Sequence, residues 1–327
     1  MKRLFLHIGH GKTGSSYLQS VLASNISNLE GAGIAYPLDT SSAKAAQEGR
    51  VTTGSGDLLA DPNWIDAVAP NVAGNVLFSY EGLFAEVSRE KETAVARWHM
   101  WRERLGCDRL SILLFTRDPI DHAASLFQQA AKTAKVTQRS LSEHFLRYKR
   151  PTQVLRVIKL LSADDTIDLT VRNYSQCKDS LAACTEDWLE IERGTLQTSN
   201  IPASVNRGLT FAELRLVLAL SSHSKSASLK LANTFCDAMP NRKSDKMLPG
   251  KDVQAQLLEA LRPDMDQVNA LVSPDHQYKF TTLEQRPVEN RLDMAQLSIA
   301  LKFALTSPQN ATKLLRALAE RDRFDFS

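Results

Sequence analysis

Five short apolar runs recur along the first half of the chain, and helical spacing follows most of them. They are Leu4-Phe5-Leu6 with Ile8, the stretch around Ile34-Ala35-Tyr36, Val76-Leu77-Phe78, Ile112-Leu113-Leu114-Phe115, and Ile167 to Val171. Nearly unbroken apolar runs, rather than strict alternation, suit strands buried on both faces, and such strands belong to parallel sheets covered by helices. The pattern predicts an α/β chain with a central, mostly parallel sheet in three layers. Helical composition marks Arg89 to Leu105, where Trp98 and Trp101 stand three apart and are expected in the core. Asp118 and Pro119 open a helix carrying Ala123, Ala124, Leu126 and Phe127, and Cys177 to Ile191 reads as an amphipathic helix. From Leu209 the signal is helical, with a break at Asn241 to Lys251, so residues 1–206 are expected as an α/β core and 207–327 as a mostly helical region packed on it. The Ser-, Ala-, Gly- and Thr-rich passage from Asp39 to Asp61 lacks either periodicity and is expected as a mobile loop.

Composition changes little in this picture. The chain has 327 residues, 43% hydrophobic and 24% charged, within the ordinary globular range. No apolar run approaches the length of a membrane span, and MKRLFLHIG lacks a small-residue cleavage site, so a cytoplasmic location is expected. Cys107, Cys177, Cys184 and Cys236 form no CxxC pair and read as free thiols. A net charge of +3 does not point to nucleic acid, and the basic stretch from Lys132 to Lys159, with Arg139, Arg147, Lys149 and Arg150, has too few aromatic residues for a nucleic-acid module. It is either a solvated face or a patch that steers an anion.

The chemistry concentrates where the first apolar run ends. Gly9, Gly11 and Gly14 let the backbone turn tightly, Lys12 brings a full charge, and Ser15, Ser16 and Tyr17 open a helix whose unpaired N–H groups favour an anion. A Walker loop requires a glycine where Leu6 stands. The same glycines spell G-x-G-x-x-G, with Asp39 as a candidate ribose acid, but a dinucleotide loop has no need of a lysine and paired hydroxyls. Arg117 falls at the carboxyl end of the Ile112–Phe115 run, the edge where open parallel sheets bind ligands, and Glu81 falls in the same position after Val76–Phe78.

Taken together, these signals resemble the nucleotide-binding sites of sulfotransferases that use 3′-phosphoadenosine 5′-phosphosulfate (PAPS) and share a P-loop-like α/β fold. Gly11-Lys12-Thr13-Gly14-Ser15-Ser16 is similar to the family's 5′-phosphosulfate loop, and Arg117-Asp118-Pro119 with Ser125 is similar to its 3′-phosphate site. Tyr174 falls where the family places an aromatic residue near adenine, and the segment beginning Asn206-Arg207-Gly208 resembles a helical segment of bacterial members. The family's late basic-glycine loop is not recognisable, with Arg242, Lys243 and Lys246 as candidate substitutes.

The resemblance implies transfer of a sulfuryl group from PAPS, without a metal, to a hydroxyl acceptor, with a saccharide or glycolipid expected because Glu81 resembles the glutamate base of the glycan-modifying branch and because the middle of the chain, Asp39 to Asp61 included, reads as open and loop-rich. Lys12 would stabilise charge on the departing phosphate oxygen, and burial near the cleft is expected to tune Glu81. The histidine candidates are His7, His10, His99, His122 and His144; His10 and His122 are placed to reach the site and rank behind Glu81 as bases, and His7 is expected in the core. An ATP-dependent kinase and a non-catalytic nucleotide-binding regulator remain alternatives. Oligomeric state is not legible.

Overall fold

The computed structural model describes residues 1–47, 53–133, 135, 141–199, 201 and 207–320. Its five strands are β1 (Arg3–His7), β2 (Ile34–Ala35), β3 (Asn75–Ser79), β4 (Arg109–Thr116) and β5 (Ile167–Asn173). They form one parallel sheet in the order β2-β3-β1-β4-β5, flanked by helices on both faces, the three-layer α/β arrangement. In register, His7 lies beside Ser79 of β3 and Leu113 of β4, while Thr116 lies beside Asn173 of β5.

The strands form where the apolar runs lie because both faces are covered. On one face Phe5, Leu77, Leu113 and Phe115 pack against Leu18, Val21 and Leu22 of the first helix, α1 (Ser15–Ser24), and against Trp188 and Leu189 of the helix Leu181–Leu189. The Phe5 and Trp188 rings meet edge to face at 5.2 Å. On the other face Leu4, Leu6, Ile112 and Leu114 are fully buried, and Trp64 meets both Phe78 and Trp101. Trp98 and Trp101 are core residues, as expected.

The chain divides into two units that interleave along the sequence. The first comprises Met1–Asp118, Lys149–Val205 and Arg262–Lys279 and holds the whole sheet; the second comprises Pro119–Tyr148, Asn206–Leu261 and Phe280–Ser327. The division near 206 therefore recurs, but the helix Pro119–Lys132 belongs to the second unit and Arg262–Lys279 to the first.

The second unit is built from helices, among them Phe211–His223, Lys225–Ala238, Met294–Ala304 and Pro308–Glu320. Its Arg207-to-Glu213 segment is a buried structural node. Both oxygens of Glu213 accept from Arg207, at 2.8 and 2.9 Å, and Thr210 and Glu213 cap the helix Phe211–His223 reciprocally. Gln128 fixes the same turn by bonding the backbone of Leu209 in both directions.

One expectation is corrected. The passage from Asp39 to Asp61 carries helices at Thr40–Gln47 and Gly56–Leu59, although 48–52 lie outside the described residues. Asp39 starts the first of them by accepting from the backbone N–H groups of Ser41 and Ser42, each at 2.9 Å, and small residues then suffice because the helix leans on α1. Ser55 fastens the second to the end of β3 by two bonds to the backbone of Ser79. Among the described residues no helix is long and apolar enough to cross a membrane.

Candidate functional site

Strand order 2-3-1-4-5 has its reversal between β1 and β4, and the crevice at that point lies beyond the carboxyl ends of the strands. Three of the residues leaving β1 there adopt left-handed backbone: Gly11 at φ 60°, Lys12 at φ 60° and Gly14 at φ 82°. For glycine this is free. For Lys12 it costs roughly 1–2 kcal/mol, so the surrounding loop holds the lysine in a conformation it does not prefer. Gly14 then caps α1 with no side-chain hydrogen bond, leaving the first turn of the helix without the usual side-chain acceptor.

Two hydroxyls lie inside this loop. Thr13 is fully buried and Ser15 nearly so, yet neither Thr13 Oγ1 nor Ser15 Oγ has a hydrogen-bond partner among the described residues. A buried hydroxyl left in that state costs about 1–3 kcal/mol, which a bound anion would recover. Lys12 and Ser16 are half-buried, and the Ser16 carbonyl accepts from Ser20 Oγ at 3.1 Å.

Three further expected residues converge on the loop. Arg117, leaving β4, donates from Nη1 to the Lys12 carbonyl at 2.6 Å, and its guanidinium lies over the Tyr174 ring, 5.3 Å from the centroid. Tyr174, leaving β5, packs so closely on the loop that a Cβ at Gly14 would come within 2.6 Å of the ring. Glu81, leaving β3, borders the start of the loop: a Cβ at Gly9 would lie 3.0 Å from Glu81 Cγ and 2.8 Å from Ser15 Oγ. Glycine at 9 and 14 is therefore demanded by neighbours as well as by backbone angle. Glu81 is exposed, so the burial expected of it is not found.

Ser125 is half-buried on the helix Pro119–Lys132 and belongs to the second unit. Arg242 pairs with Asp293 and Lys246 with Asp121, so two of the three candidate substitutes for the late basic loop already have acidic partners, while Lys243 is exposed. Arg139 lies outside the described residues; Arg147 and Lys149 are exposed, and Arg150 reaches Gln153 at 2.7 Å.

The histidines separate clearly. His10, inside the loop, is buried edge-on against Phe84; burial, with Arg150 adding to it, lowers its pKa to about 3 and keeps the imidazole neutral. His7 is buried beside Ser79, with Nδ1 and Oγ 2.8 Å apart, and burial likewise lowers it to about 3. His99 pairs with Asp164 at 2.7 Å. In the second unit His122 bonds the buried Tyr148 hydroxyl at 2.8 Å and His144 packs against Phe127 and Phe145, so both serve the core there.

A supporting network escaped the sequence reading. Asp118 accepts from Asn173 Nδ2 at 2.7 Å, Gln176 Nε2 at 3.3 Å and the backbone of Lys279 at 3.1 Å, while its own N–H donates to Ser175. These bonds tie the ends of β4 and β5 together and so set Arg117 beside Tyr174. On the other side Gln19 of α1 donates to the Ser79 carbonyl at 3.4 Å. A glutamine between Leu18 and Val21 on a buried helix face was the available signal.

With this geometry in place the chain was compared with family models, with curated proteins and with solved structures. None of the three comparisons found a match. Among the described residues no cluster of three or more His, Cys, Asp or Glu could hold a metal ion.

Proposed function

We propose that the chain is a PAPS-dependent sulfotransferase acting on a hydroxyl acceptor. One observation carries the reading: Arg117, Tyr174 and Glu81, widely separated in sequence, all close on one loop that contains Lys12 and two buried hydroxyls without partners. An adenosine with phosphate at its 3′ position and a second anionic group at its 5′ position needs such a set. The loop backbone, Thr13, Ser15, Ser16 and Lys12 suit the 5′ group, Tyr174 offers a ring face to the base, and Arg117 offers a planar fork to the 3′-phosphate. PAPS would supply the sulfuryl group.

In this reading Lys12 holds its charge where negative charge develops on the departing phosphate oxygen, an interaction stronger in the transition state than before it. Glu81 takes the acceptor's proton, and its exposure is compatible with the approach of a large acceptor. The saccharide or glycolipid class rests on Glu81 alone, because the passage Asp39–Asp61 carries helices. A cytoplasmic setting is supported by four cysteines without a disulfide.

The test is thermal. With chelator present, 3′,5′-adenosine bisphosphate is expected to raise the melting temperature, and ATP with magnesium to do so weakly. Stronger stabilisation by ATP–magnesium would transfer the site to a kinase. Radiolabelled PAPS offered to a panel of saccharides then tests turnover; Glu81→Gln should keep nucleotide binding and lose most of the rate. An unchanged rate removes Glu81 as the base and moves that role to a histidine. Binding without turnover on any acceptor would leave a regulator.

A further inference from the structure

The guanidinium that borders the anion loop also grips one of its peptides. Arg117 follows β4 at the carboxyl edge of the sheet, and its Nη1 donates to the Lys12 carbonyl at 2.6 Å. That carbonyl belongs to a residue held at φ 60°, a backbone state that any side chain disfavours. Hydrogen bonds from a permanently charged donor are among the strong ones, and this one falls on the strained peptide itself.

Arg117 is set for that task from two sides. The Tyr174 ring lies against the guanidinium, 5.3 Å from centroid to carbon, and Asp118, next along the chain, ties the ends of β4 and β5 through Asn173 and Gln176. Tyr174 and Leu181 also press on the loop at Gly14, where a Cβ would come within 2.6 and 3.2 Å of them. Lys12 therefore stands between a turn packed from the β5 side and a carbonyl held from the β4 side. A guanidinium spreads its N–H donors around a plane, so a bond from Nη1 to a carbonyl leaves other donors for an anion.

We propose that Arg117 is a positioning residue for Lys12: through the Lys12 carbonyl it sets the 5′ half of the site, whether or not the bound nucleotide carries a 3′-phosphate. One side chain then serves both ends of the donor, by holding the lysine peptide at one and facing the 3′-phosphate at the other. What the loop binds rests on the PAPS reading. The grip on the lysine does not.

The experiment compares wild type with Arg117→Met by calorimetry, using adenosine 5′-phosphosulfate, which has the 5′ group and no 3′-phosphate. Affinity should fall about tenfold, equivalent to about 1.4 kcal/mol. An arginine that served only the 3′-phosphate would leave this affinity unchanged, and that result overturns the proposal. A second readout needs no ligand. Trypsin cuts after lysine, and Thr13, on the far side of that bond, is fully buried, so cleavage there reports opening of the loop. In Arg117→Met it should quicken about tenfold relative to cleavage elsewhere in the first unit; acceleration no greater than elsewhere also overturns the proposal. If Arg117→Met does not fold, Lys12→Gly with Arg117→Met decides. With no strained lysine left to hold, the double variant should fold, and its failure would make Arg117 a support of the fold independent of Lys12. Failure of the wild type to bind adenosine 5′-phosphosulfate and PAPS alike would overturn the PAPS reading, while the trypsin readout still decides the grip on Lys12.

Discussion

The loop after β1 and the Arg207–Glu213 node both bury polar groups, but the loop hydroxyls and the Glu213 carboxylate are treated in opposite ways. In the node every demand of the carboxylate is met: Glu213 accepts two bonds from Arg207, one from the Thr210 backbone and one from Gln296. In the loop Thr13 and Ser15 bury hydroxyls that bond to nothing among the described residues, and Lys12 holds a left-handed backbone. A saturated polar group specifies a fold. An unsaturated one beside strained backbone costs stability that folding alone does not recover, which is the expected mark of a place kept for a ligand. Both segments contain motifs that the sequence alone offered as sulfotransferase-like, and the hydrogen bonds tell them apart.

The largest effect should come from breaking the pair that satisfies the Glu213 carboxylate. Glu213→Ala leaves the Arg207 guanidinium buried without its counter-charge and is expected to cost about 3–5 kcal/mol in denaturant unfolding. Replacing both members by apolar residues, Arg207→Met with Glu213→Leu, should recover most of that loss. If Glu213→Ala were nearly neutral, the node would not be the structural element described. The loop should answer in the reverse sense. Lys12→Gly relieves the left-handed strain and is expected to raise stability by about 1 kcal/mol. At the same time it should lower the proposed sulfuryl transfer roughly 10²–10³-fold, the usual scale for losing one charge-stabilising group. A stable variant with unaltered turnover would remove Lys12 from the chemistry.

Thr13→Val sharpens the contrast with a smaller change. The swap keeps the shape and removes a hydroxyl that has no protein partner, so stability should hold or rise slightly, unlike the loss at Glu213. Affinity for 3′,5′-adenosine bisphosphate should fall about tenfold, close to 1.4 kcal/mol by calorimetry. A destabilised variant with full affinity would mean that the hydroxyl serves the fold.

How far the sequence could be read follows the range of the forces involved. β4 was legible because Ile112 to Phe115 are buried on both faces, which demands an unbroken apolar run. The loop was legible because glycine, lysine and hydroxyls carry their conformations and charges with them. The helix Thr40–Gln47 was not: its alanines and serines offer no apolar stripe, and its support comes from α1. The role of Asp118 was equally hidden, since its partners Asn173, Gln176 and Lys279 lie far along the chain. Glu81 shows both sides of this. Its place at the end of β3 could be read from the apolar run before it, but its exposure is set by what packs around it.

The smallest expected effect compares helix caps across the two units. Asp39 caps the Thr40–Gln47 helix through Ser41 and Ser42, and Asp293 caps Met294–Ala304 through Gln296 with an added pairing to Arg242. Burial pushes the Asp39 carboxyl up, but hydrogen bonds from the side chains and backbone of Ser41 and Ser42 outweigh it and bring it down to about 2. The Gln296 backbone, assisted by Arg242, likewise lowers Asp293. A carboxyl lowered by folding adds stability above its unfolded pKa, near 3.9, and loses it as pH falls toward the folded value. Asp39→Ala should therefore cost about 1 kcal/mol at pH 7 in urea unfolding, and the gap from wild type should narrow as pH falls below about 4. If the gap persists unchanged to low pH, the carboxylate is not what holds this helix. Its edge of the first unit would then rest on packing against α1 alone.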